Sequence, residues 1–489
     1  MNVKHLNVGL LHSLIGKNDG VSIVIDQTVE SMVKDMGVRL GNIYFLAAHT
    51  SPRFNAKTDQ VFWHKNNIHK KIIENFSKEP PKWLEHEIHS NALHAKKVIA
   101  TFIEDNEIDL LIAHNTSHPY NFITAVGLGY YLEELRQDGL IWPKVLVWWH
   151  DSFFEREQFS HPNAVIEKYL KYLPGTLIDG CVFINSHQTE LGRKYFHKFG
   201  NSFADEFFED RVVVIPNTAD IPWDWRRQEW ETHNYVHPDM DSYNKSLLRD
   251  LGIRDELEAR GFTLEDTAFL LQHTRIVPRK KIELAIDLAF KLSQKFREVE
   301  HRKCVVLLIS GHSGDEQTKY KEVLYTHYGK RQAENLDAAV IVHFGEDIIL
   351  SHRDIIVDTK YYNFDEVPGI MANYNAIGTY FSEVEGFGNN LLEMIRYGLP
   401  VLINKYDIFA RDIEKLGFDI PYIENLELTD DIVEHAYNLL MDHPKRNRMV
   451  RHNLQVLEEK LDHKIIAKHL APLIERMFTR MPPSALQPK

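Results

Sequence analysis

The chain has 489 residues, of which 44% are hydrophobic and 26% are charged, so its composition is that of a folded globular protein. This length exceeds what one hydrophobic core usually supports, and two domains are expected. With 57 basic and 70 acidic residues the formal net charge is −13. That balance argues against nucleic-acid binding, because neutralising phosphates requires surplus Lys and Arg.

Cys181 and Cys304 are the two cysteines, and each lies in an apolar run typical of a strand. Buried, unreactive thiols are therefore expected. No stretch approaches the about 18 apolar residues of a membrane span, and the N-terminus lacks the pattern of a secretion signal. We expect a cytoplasmic enzyme with no transmembrane segment, while the composition leaves peripheral contact with a membrane open.

The first part of the chain alternates strand-like apolar runs with helical patterns. A loop with Gly16 and Gly20 separates the first run from a helical pattern that starts at Val21. Continuous apolar strands alternating with helices favour a parallel sheet covered on both faces. Residues 1–221 are therefore predicted to form a Rossmann-like domain with strands at 6–11, 109–113, 144–149, 180–184 and 211–215.

The alternation stops at residues 222–266, which are rich in charged and aromatic residues and are predicted to be a linker or insertion. It then resumes, so residues 267–458 are predicted to form a second Rossmann-like domain. A C-terminal helix with a frayed tail is expected over 459–489. The predicted fold class is α/β, with two doubly wound domains facing across a ligand-binding cleft. The second domain's strands are predicted at 268–272, 303–309, 339–342, 376–380 and 400–403.

A Glu-Gly-Phe-Gly turn at residues 385–388 precedes a helix predicted from about 389 to 397. Gly386 and Gly388 would let the backbone approach a ligand closely, and the N–H groups that start the helix suit a diphosphate. Glu393 can accept hydrogen bonds from vicinal hydroxyls such as those of a ribose. The alternative is that Glu385 only favours the helix N-terminus and that Glu393 faces water.

Arg275 and Lys280 follow the strand predicted at 268–272. Cations on such a turn can stabilise the negative charge that grows on a leaving diphosphate, as a metal ion otherwise would. The alternative is a basic loop in solvent, and Arg279 and Lys281 are assigned to it.

His150 follows the strand predicted at 144–149 and could contact a sugar or support positive charge at its reacting carbon. A structural histidine is the alternative. Gly20 would let backbone amides reach the same point from another side.

Three other classes are weighed. The first glycines do not give the G-x-G-x-x-G spacing of a nicotinamide dehydrogenase. His86 and His89 enclose one residue fewer than a zinc protease motif requires. Asp239-Met-Asp241 resembles a metal-binding D-x-D motif but lies in the polar insertion, so no metal is predicted.

Together the motifs resemble those of retaining GT-B glycosyltransferases of family four, also called group 1. The resemblance implies an enzyme of carbohydrate biosynthesis that moves a hexose, glucose or mannose, from a nucleoside-diphosphate sugar to an acceptor hydroxyl. It implies no metal and no other cofactor, and the acceptor is expected to be soluble. It is carried by the glycine loop at 16–20, His150, 213–217, Arg275, Lys280, 343–345, 385–393 and 398–401.

The resemblance also implies residue roles. His150, Arg275, Lys280 and Glu385 would act in catalysis, while Asp19 and Asp151 would lie on the acceptor side. Residues implied to bind the nucleotide sugar are Gly20, Asp347, Ile348, Gly386, Phe387, Gly388, Asn389, Asn390 and Glu393. Within that set, Asp347 and Ile348 would hold the base and Glu393 the ribose.

The chain departs from the family pattern at several positions, one being Lys281, where a glycine usually follows the lysine. Open alternatives are a phosphorylase or nucleotide-sugar epimerase on the same fold, and a non-catalytic nucleotide-sugar sensor. The nucleotide, the sugar, the acceptor and the role of residues 222–266 also stay open.

Overall fold

The computed structural model describes residues 3–16, 20–51, 53–175, 177–199, 204–227, 230, 246–313, 318–350 and 361–480. The chain divides into two compact units. The first comprises Met1–Asn217 with His463–Lys489, and the second comprises Thr218–Asp462. The C-terminal helix thus belongs to the first unit, and the segment predicted as a linker, 222–266, falls in the second.

The described residues of the first unit form a parallel sheet of seven strands in the order β3-β2-β1-β4-β5-β6-β7. The five strands predicted from the sequence lie in it, with ends shifted by up to two residues, whereas β2 and β3 were not predicted. The strands are β1 (Val8–Leu11), β2 (Ile43–Ala47), β3 (Ala56–Thr58), β4 (Leu110–His114), β5 (Lys144–Trp148), β6 (Gly180–Phe183) and β7 (Val212–Val214).

The helices of the first unit form where apolar residues recur every three or four positions. In Leu84–Asp105 the buried side chains include Leu84, Ile88, Ala92 and Ala95, which share one face. Side-chain caps start other helices, because an Asn oxygen satisfies an N–H group of the first turn. The remaining helices are Gly20–Lys34, Asn67–Asn75, Phe122–Gln137, Ala164–Tyr169, Ser186–Lys198, Ala204–Asp210 and Lys464–Thr479.

The described residues of the second unit form a parallel sheet of six strands in the order β10-β9-β8-β11-β12-β13. Every residue of β9 is buried, as expected for a strand covered on both faces. The strands are β8 (Thr267–Gln272), β9 (Cys304–Ile309), β10 (Val340–Phe344), β11 (Ile377–Tyr380), β12 (Val401–Asn404) and β13 (Tyr422–Ile423).

The longer helices of the second unit alternate with these strands. Shorter helices, Leu247–Asp250 and Ile253–Ala259, lie in the segment predicted as a linker. The others are Ile282–Glu298, Thr318–Glu334, Val367–Ala372, Asn389–Arg396, Asp430–Met441 and His443–Lys460. Two-residue strands pair outside the main sheets, Leu14–Ile15 with His49–Thr50 and Ile349–Leu350 with Tyr362–Asn363.

Both sheets therefore have the doubly wound strand order, which confirms the predicted α/β class with two doubly wound domains. In each, the order reverses beside the unit's first strand, between β1 and β4 and between β8 and β11. Ligands of such sheets bind outside the carboxyl ends of the strands at this point. Cys181 and Cys304 are buried, as predicted. No helix within the described ranges is long and apolar enough to cross a membrane.

Candidate active site

Lys280 lies on a short turn beyond the carboxyl end of β8 and is only 3% exposed. Its ammonium group forms an ion pair with Glu385 and lies 4.8 Å from the centre of the Tyr380 ring. Arg279 Nη1 donates to Glu385 Oε2 at 3.0 Å and to the Val384 carbonyl at 2.7 Å. We call Arg279, Lys280 and Glu385 the Lys280 cluster.

The charges of this cluster are set by burial and by each other. Burial lowers the pKa of Lys280 to about 8, with Glu385 acting in the opposite direction. Burial alone would raise the pKa of Glu385, but the charges of Lys280 and Arg279 lower it to about 2. Glu385 is therefore ionised near neutral pH, and Lys280 carries its charge below about pH 8.

The assignment of Arg279 to solvent is wrong, because Arg279 binds the buried Glu385. Lys281 forms an ion pair at the surface, with its Nζ 2.9 Å from Glu383. The backbone at Lys281 is left-handed, with φ 46° and ψ 48°. Glycine adopts this conformation most readily.

Arg275 lies on the exposed turn after β8. Its positive charge interacts with that of Lys280 and helps to lower the pKa of Lys280. Arg275 and Lys280, predicted as a pair, are therefore brought to the same edge of the sheet.

The turn at Gly386, Phe387 and Gly388 leads directly into the helix Asn389–Arg396. Gly388 has φ +130° and ψ 53°, and a Cβ atom there would lie 2.5 Å from the Tyr406 hydroxyl. That hydroxyl donates to the Phe387 carbonyl at 2.6 Å. Glycine is therefore required at 388.

Glu393 is 7% exposed, so the alternative in which it faces water is wrong. Asn390 Nδ2 donates to Glu393 Oε2 at 2.9 Å. His273 Nε2 lies 3.4 Å from the same oxygen. Sequence reasoning missed His273, although its position directly after the predicted strand 268–272 could have indicated it.

Asp347 and Ile348 follow β10, at the same edge of the sheet. Asp347 is exposed, whereas the Ile348 carbonyl accepts a hydrogen bond from the Tyr362 N–H at 2.8 Å. Their neighbour Glu346, which was not predicted, forms an ion pair with Lys321. The assignment of Asp347 and Ile348 to the base stays a prediction.

In the first unit, His150 follows β5 and is paired with a second histidine. His150 Nε2 lies 3.1 Å from Nδ1 of His114, the last residue of β4, and His12 Nδ1 lies 3.2 Å from the His114 carbonyl. Burial, with a contribution from His12, lowers the pKa of His150 to about 3. The pKa of His114 is lowered well below its ordinary value, mainly by burial. His114 and His150 are thus neutral near pH 7, and we call His12, His114 and His150 the histidine cluster.

Asp151 lies beside the histidine cluster and is held on several sides. Its N–H group donates to Asn115 Oδ1 at 3.0 Å, and its carboxylate accepts from Arg156 Nε at 3.0 Å. Nearby, burial and then the charge of Asp151 raise the pKa of Glu155 to about 7. Gln188 Nε2 links Glu155 Oε1, at 3.2 Å, to the His150 carbonyl, at 3.3 Å. Glu155, Arg156 and Gln188 carry no motif that marked them in the sequence.

The other positions singled out in the sequence lie either in helices of the first unit or outside the described residues. Gly20 is the first residue of the helix Gly20–Lys34, so its N–H belongs to the first helical turn and not to the predicted loop. Asp19, Asp239 and Asp241 lie outside the described residues. His89 lies within the helix Leu84–Asp105, where its Nδ1 hydrogen-bonds the Tyr130 hydroxyl at 3.0 Å.

No family model matches the chain. A curated relative, mannosylglucosylglycerate synthase of Petrotoga mobilis, is 26% identical over 444 residues, which cover 85% of this chain and 86% of the relative. The enzyme of the same name from Thermotoga maritima is 28% identical over 331 residues, covering 63% and 64%.

Solved structures with a similar fold include three proteins, each at a low identity that bears on the fold alone. Sucrose-phosphate synthase from Thermosynechococcus elongatus is 12% identical with a TM-score of 0.58, over 96% of this chain and 99% of that one. Anabaena HepE, in complex with UDP and glucose, is 13% identical with a TM-score of 0.57, over 96% and 100%. The glycosyltransferase WaaG is 12% identical with a TM-score of 0.52, over 96% and 99%.

The fold is thus that of the GT-B glycosyltransferases, as predicted. Both curated relatives are named as synthases of a glycosylated compound. The prediction of a glycosyltransferase is therefore also confirmed. In particular, the chain is similar over most of its length to mannosylglucosylglycerate synthase.

Proposed function

We propose that the chain moves a hexose from a nucleoside-diphosphate sugar to a hydroxyl of an acceptor, with retention of configuration and without a metal ion, as enzymes of family four do. The observation that carries this proposal is the Lys280 cluster. A buried ammonium group held by a buried carboxylate is costly to build, and such groups occur where a charged ligand or transition state requires them.

The cluster suits the leaving group of the reaction. As the bond between the sugar and the diphosphate breaks, negative charge grows on the phosphate oxygens. Lys280 and Arg275 supply positive charge at the carboxyl end of β8, and the start of the helix Asn389–Arg396 supplies N–H groups and the positive end of its dipole. Because these groups are already fixed, they stabilise the developing charge without reorganising.

Glu385 is proposed to orient the cations and to contact sugar hydroxyls, and not to attack the sugar. Its two oxygens bind Lys280 and Arg279, and its low pKa makes the carboxylate a weak nucleophile. This supports attack by the acceptor hydroxyl on the face that the diphosphate leaves. The bond from the anomeric carbon to phosphate breaks, the bond to the acceptor oxygen forms, and the acceptor proton passes to the leaving phosphate oxygen.

The relatives' name suggests the sugar and the acceptor. Mannosylglucosylglycerate synthase names a product in which mannose is joined to glucosylglycerate. We propose mannose as the transferred sugar and glucosylglycerate, or a similarly small soluble glycoside, as the acceptor. His150 and Asp151 are the first-unit residues proposed to serve the sugar and acceptor.

A transfer assay without divalent metal tests the proposal. Purified protein in EDTA is given UDP-, GDP- or ADP-linked glucose or mannose, with and without glucosylglycerate, and nucleotide release and the anomeric configuration of the product are measured. We expect release that depends on the acceptor and a product with the configuration of the donor. An inverted product, or activity only with added metal, would contradict the retaining, metal-independent mechanism.

A further inference from the structure

We propose that His273 is a positioning residue that holds Glu393 in the orientation needed to bind the ribose of the nucleotide. The inference rests on the proposed function and adds a residue to its donor site. It starts from a polar side chain that is fully buried, next to the strand end where the order of the sheet reverses.

His273 is fixed on three sides. Its Nδ1 atom lies 2.9 Å from Ser310 Oγ, directly after β9. Its Nε2 atom lies 3.4 Å from Glu393 Oε2, and its ring stacks on Phe364, with ring centres 3.9 Å apart and planes 16° apart. The imidazole therefore has one position and two defined polar neighbours.

The chemistry of these neighbours assigns the proton. An ionised carboxylate only accepts hydrogen bonds, so the nitrogen that faces Glu393 must carry the N–H. In the neutral imidazole Nδ1 then presents its lone pair to the Ser310 hydroxyl, which also lies 3.4 Å from the Gln272 carbonyl. Nε2 makes no hydrogen bond among the described residues, and Glu393 Oε2, at 3.4 Å, is the acceptor that the inference assigns to it.

Two side-chain nitrogens lie near one oxygen of Glu393. Asn390 Nδ2 binds Oε2 from within the same helix, while His273 approaches it from the end of β8. A carboxylate with one oxygen held in this way loses little further freedom when it binds a pair of hydroxyls, which strengthens binding. The expected consequence is a preference for ribose over deoxyribose that depends on His273.

Nucleotide affinity with and without the ribose hydroxyls tests this inference. Kd values for UDP, GDP and ADP and for their 2′-deoxy and 3′-deoxy forms are measured by calorimetry for the wild type, His273→Phe, His273→Gln and Glu393→Gln. The nucleotide that the wild type binds best should be preferred over its deoxy forms by about tenfold, the size of one hydrogen bond to a charged group. His273→Phe keeps a stacking ring but loses the donor. The ratio of the Kd for the deoxy form to the Kd for the ribose form should therefore fall toward one.

Further variants separate positioning from packing. His273→Gln retains an N–H donor and should keep part of the preference, and His273→Phe combined with Glu393→Gln should lose no more than Glu393→Gln alone. Ser310→Ala removes the donor to Nδ1 and should reduce the preference about two- to threefold. The matched control is His301→Phe, because His301 also stacks on an aromatic ring, that of Tyr437, but lies on the surface.

The outcomes distinguish this inference from the function on which it rests. If the wild type binds none of the nucleotides, the proposed function fails. If the wild type prefers ribose and His273→Phe keeps that preference in full, the inference about His273 is overturned. If His273→Phe does not fold, Ser310→Ala decides, since an unchanged ribose preference in that variant would also overturn it.

Discussion

The two units share one strand order, but their strand ends carry opposite kinds of chemistry. In the second unit, beside β8 and β11, Lys280 and Arg279 are ion-paired with Glu385. In the first unit, beside β1 and β4, burial keeps His114 and His150 neutral, and the ion pair of Asp151 with Arg156 lies next to them. The same fold therefore supports a buried cation at one switch point and buried neutral imidazoles at the other.

This difference indicates which class of ligand, charged or neutral, each set of buried polar side chains suits. A buried charge persists only with a partner, whereas a histidine can lose its proton and remain as a neutral hydrogen-bonding group. A diphosphate is an anion and suits the unit that retains fixed cations. A sugar hydroxyl is neutral and suits a site of neutral imidazoles.

The largest effect is expected from removing the buried cation. Lys280→Ala should lower kcat by on the order of 10²-fold or more, as loss of a preorganised charge-stabilising group does in other enzymes. Steady-state kinetics with the best donor measure it. The matched control is Lys281→Gly, which also removes a lysine charge but suits the left-handed backbone and should change kcat less than about twofold. Near-normal turnover in Lys280→Ala would remove the charged cluster from the reaction.

The histidine cluster should respond differently. His150→Ala should lower kcat on the order of 10 to 10²-fold by removing the group proposed to contact the sugar near its reacting carbon. Because the diphosphate is proposed to bind the Lys280 cluster of the other unit, the Kd for the nucleoside diphosphate should stay unchanged. His89→Ala, whose histidine contacts the Tyr130 hydroxyl, is the control. A variant that loses nucleotide binding as well as turnover would break the proposed division between the units.

The Lys280 cluster also predicts how the reaction rate depends on pH. The pKa of Lys280 is lowered to about 8, so its charge is present below that pH and is lost above it. We expect kcat/KM to fall up to tenfold per pH unit above about pH 8, since this ratio reports groups of the free enzyme. Lys280→Arg, which stays charged, should move that decline to higher pH. A decline that is unchanged in Lys280→Arg would assign it to another group.

A smaller effect is expected from the turn that presents the helix Asn389–Arg396. Gly388→Ala should destabilise the chain by about 1 to 3 kcal/mol, because φ is positive and the added Cβ would meet the Tyr406 hydroxyl. Gly329→Ala is the control, since Gly329 lies within a helix with open space around it and should gain up to about 1 kcal/mol. Denaturant unfolding compares them, and equal stabilities would contradict the required conformation at 388.

Much of the second unit was predictable because its signals are local. Five of its strands are continuous apolar runs, and the helix after the turn at 385–388 begins at the predicted residue, Asn389.

In the first unit, the edge strand β3 was missed because Ala56–Thr58 carries no apolar pattern, and β2 was overlooked although it is apolar.

The arrangement of the site was less predictable because it depends on contacts between distant residues. Of the three consecutive basic residues 279–281, Arg279 and Lys280 bind Glu385 and Lys281 does not. This difference depends on the left-handed backbone at Lys281, which no side-chain pattern indicates. The pairing of His114 with His150 follows from the register of β4 and β5, in which His114 lies opposite Trp148. Neither strand alone contains that information.

Nucleoside diphosphate binding without metal tests the central claim most directly. UDP, GDP and ADP are titrated calorimetrically into the wild type and into Lys280→Ala, both in EDTA. The account predicts that the wild type binds at least one of them and that Lys280→Ala binds it at least tenfold more weakly. Binding that requires a divalent cation, or equal affinity in the two proteins, would contradict the claim that the Lys280 cluster holds the diphosphate.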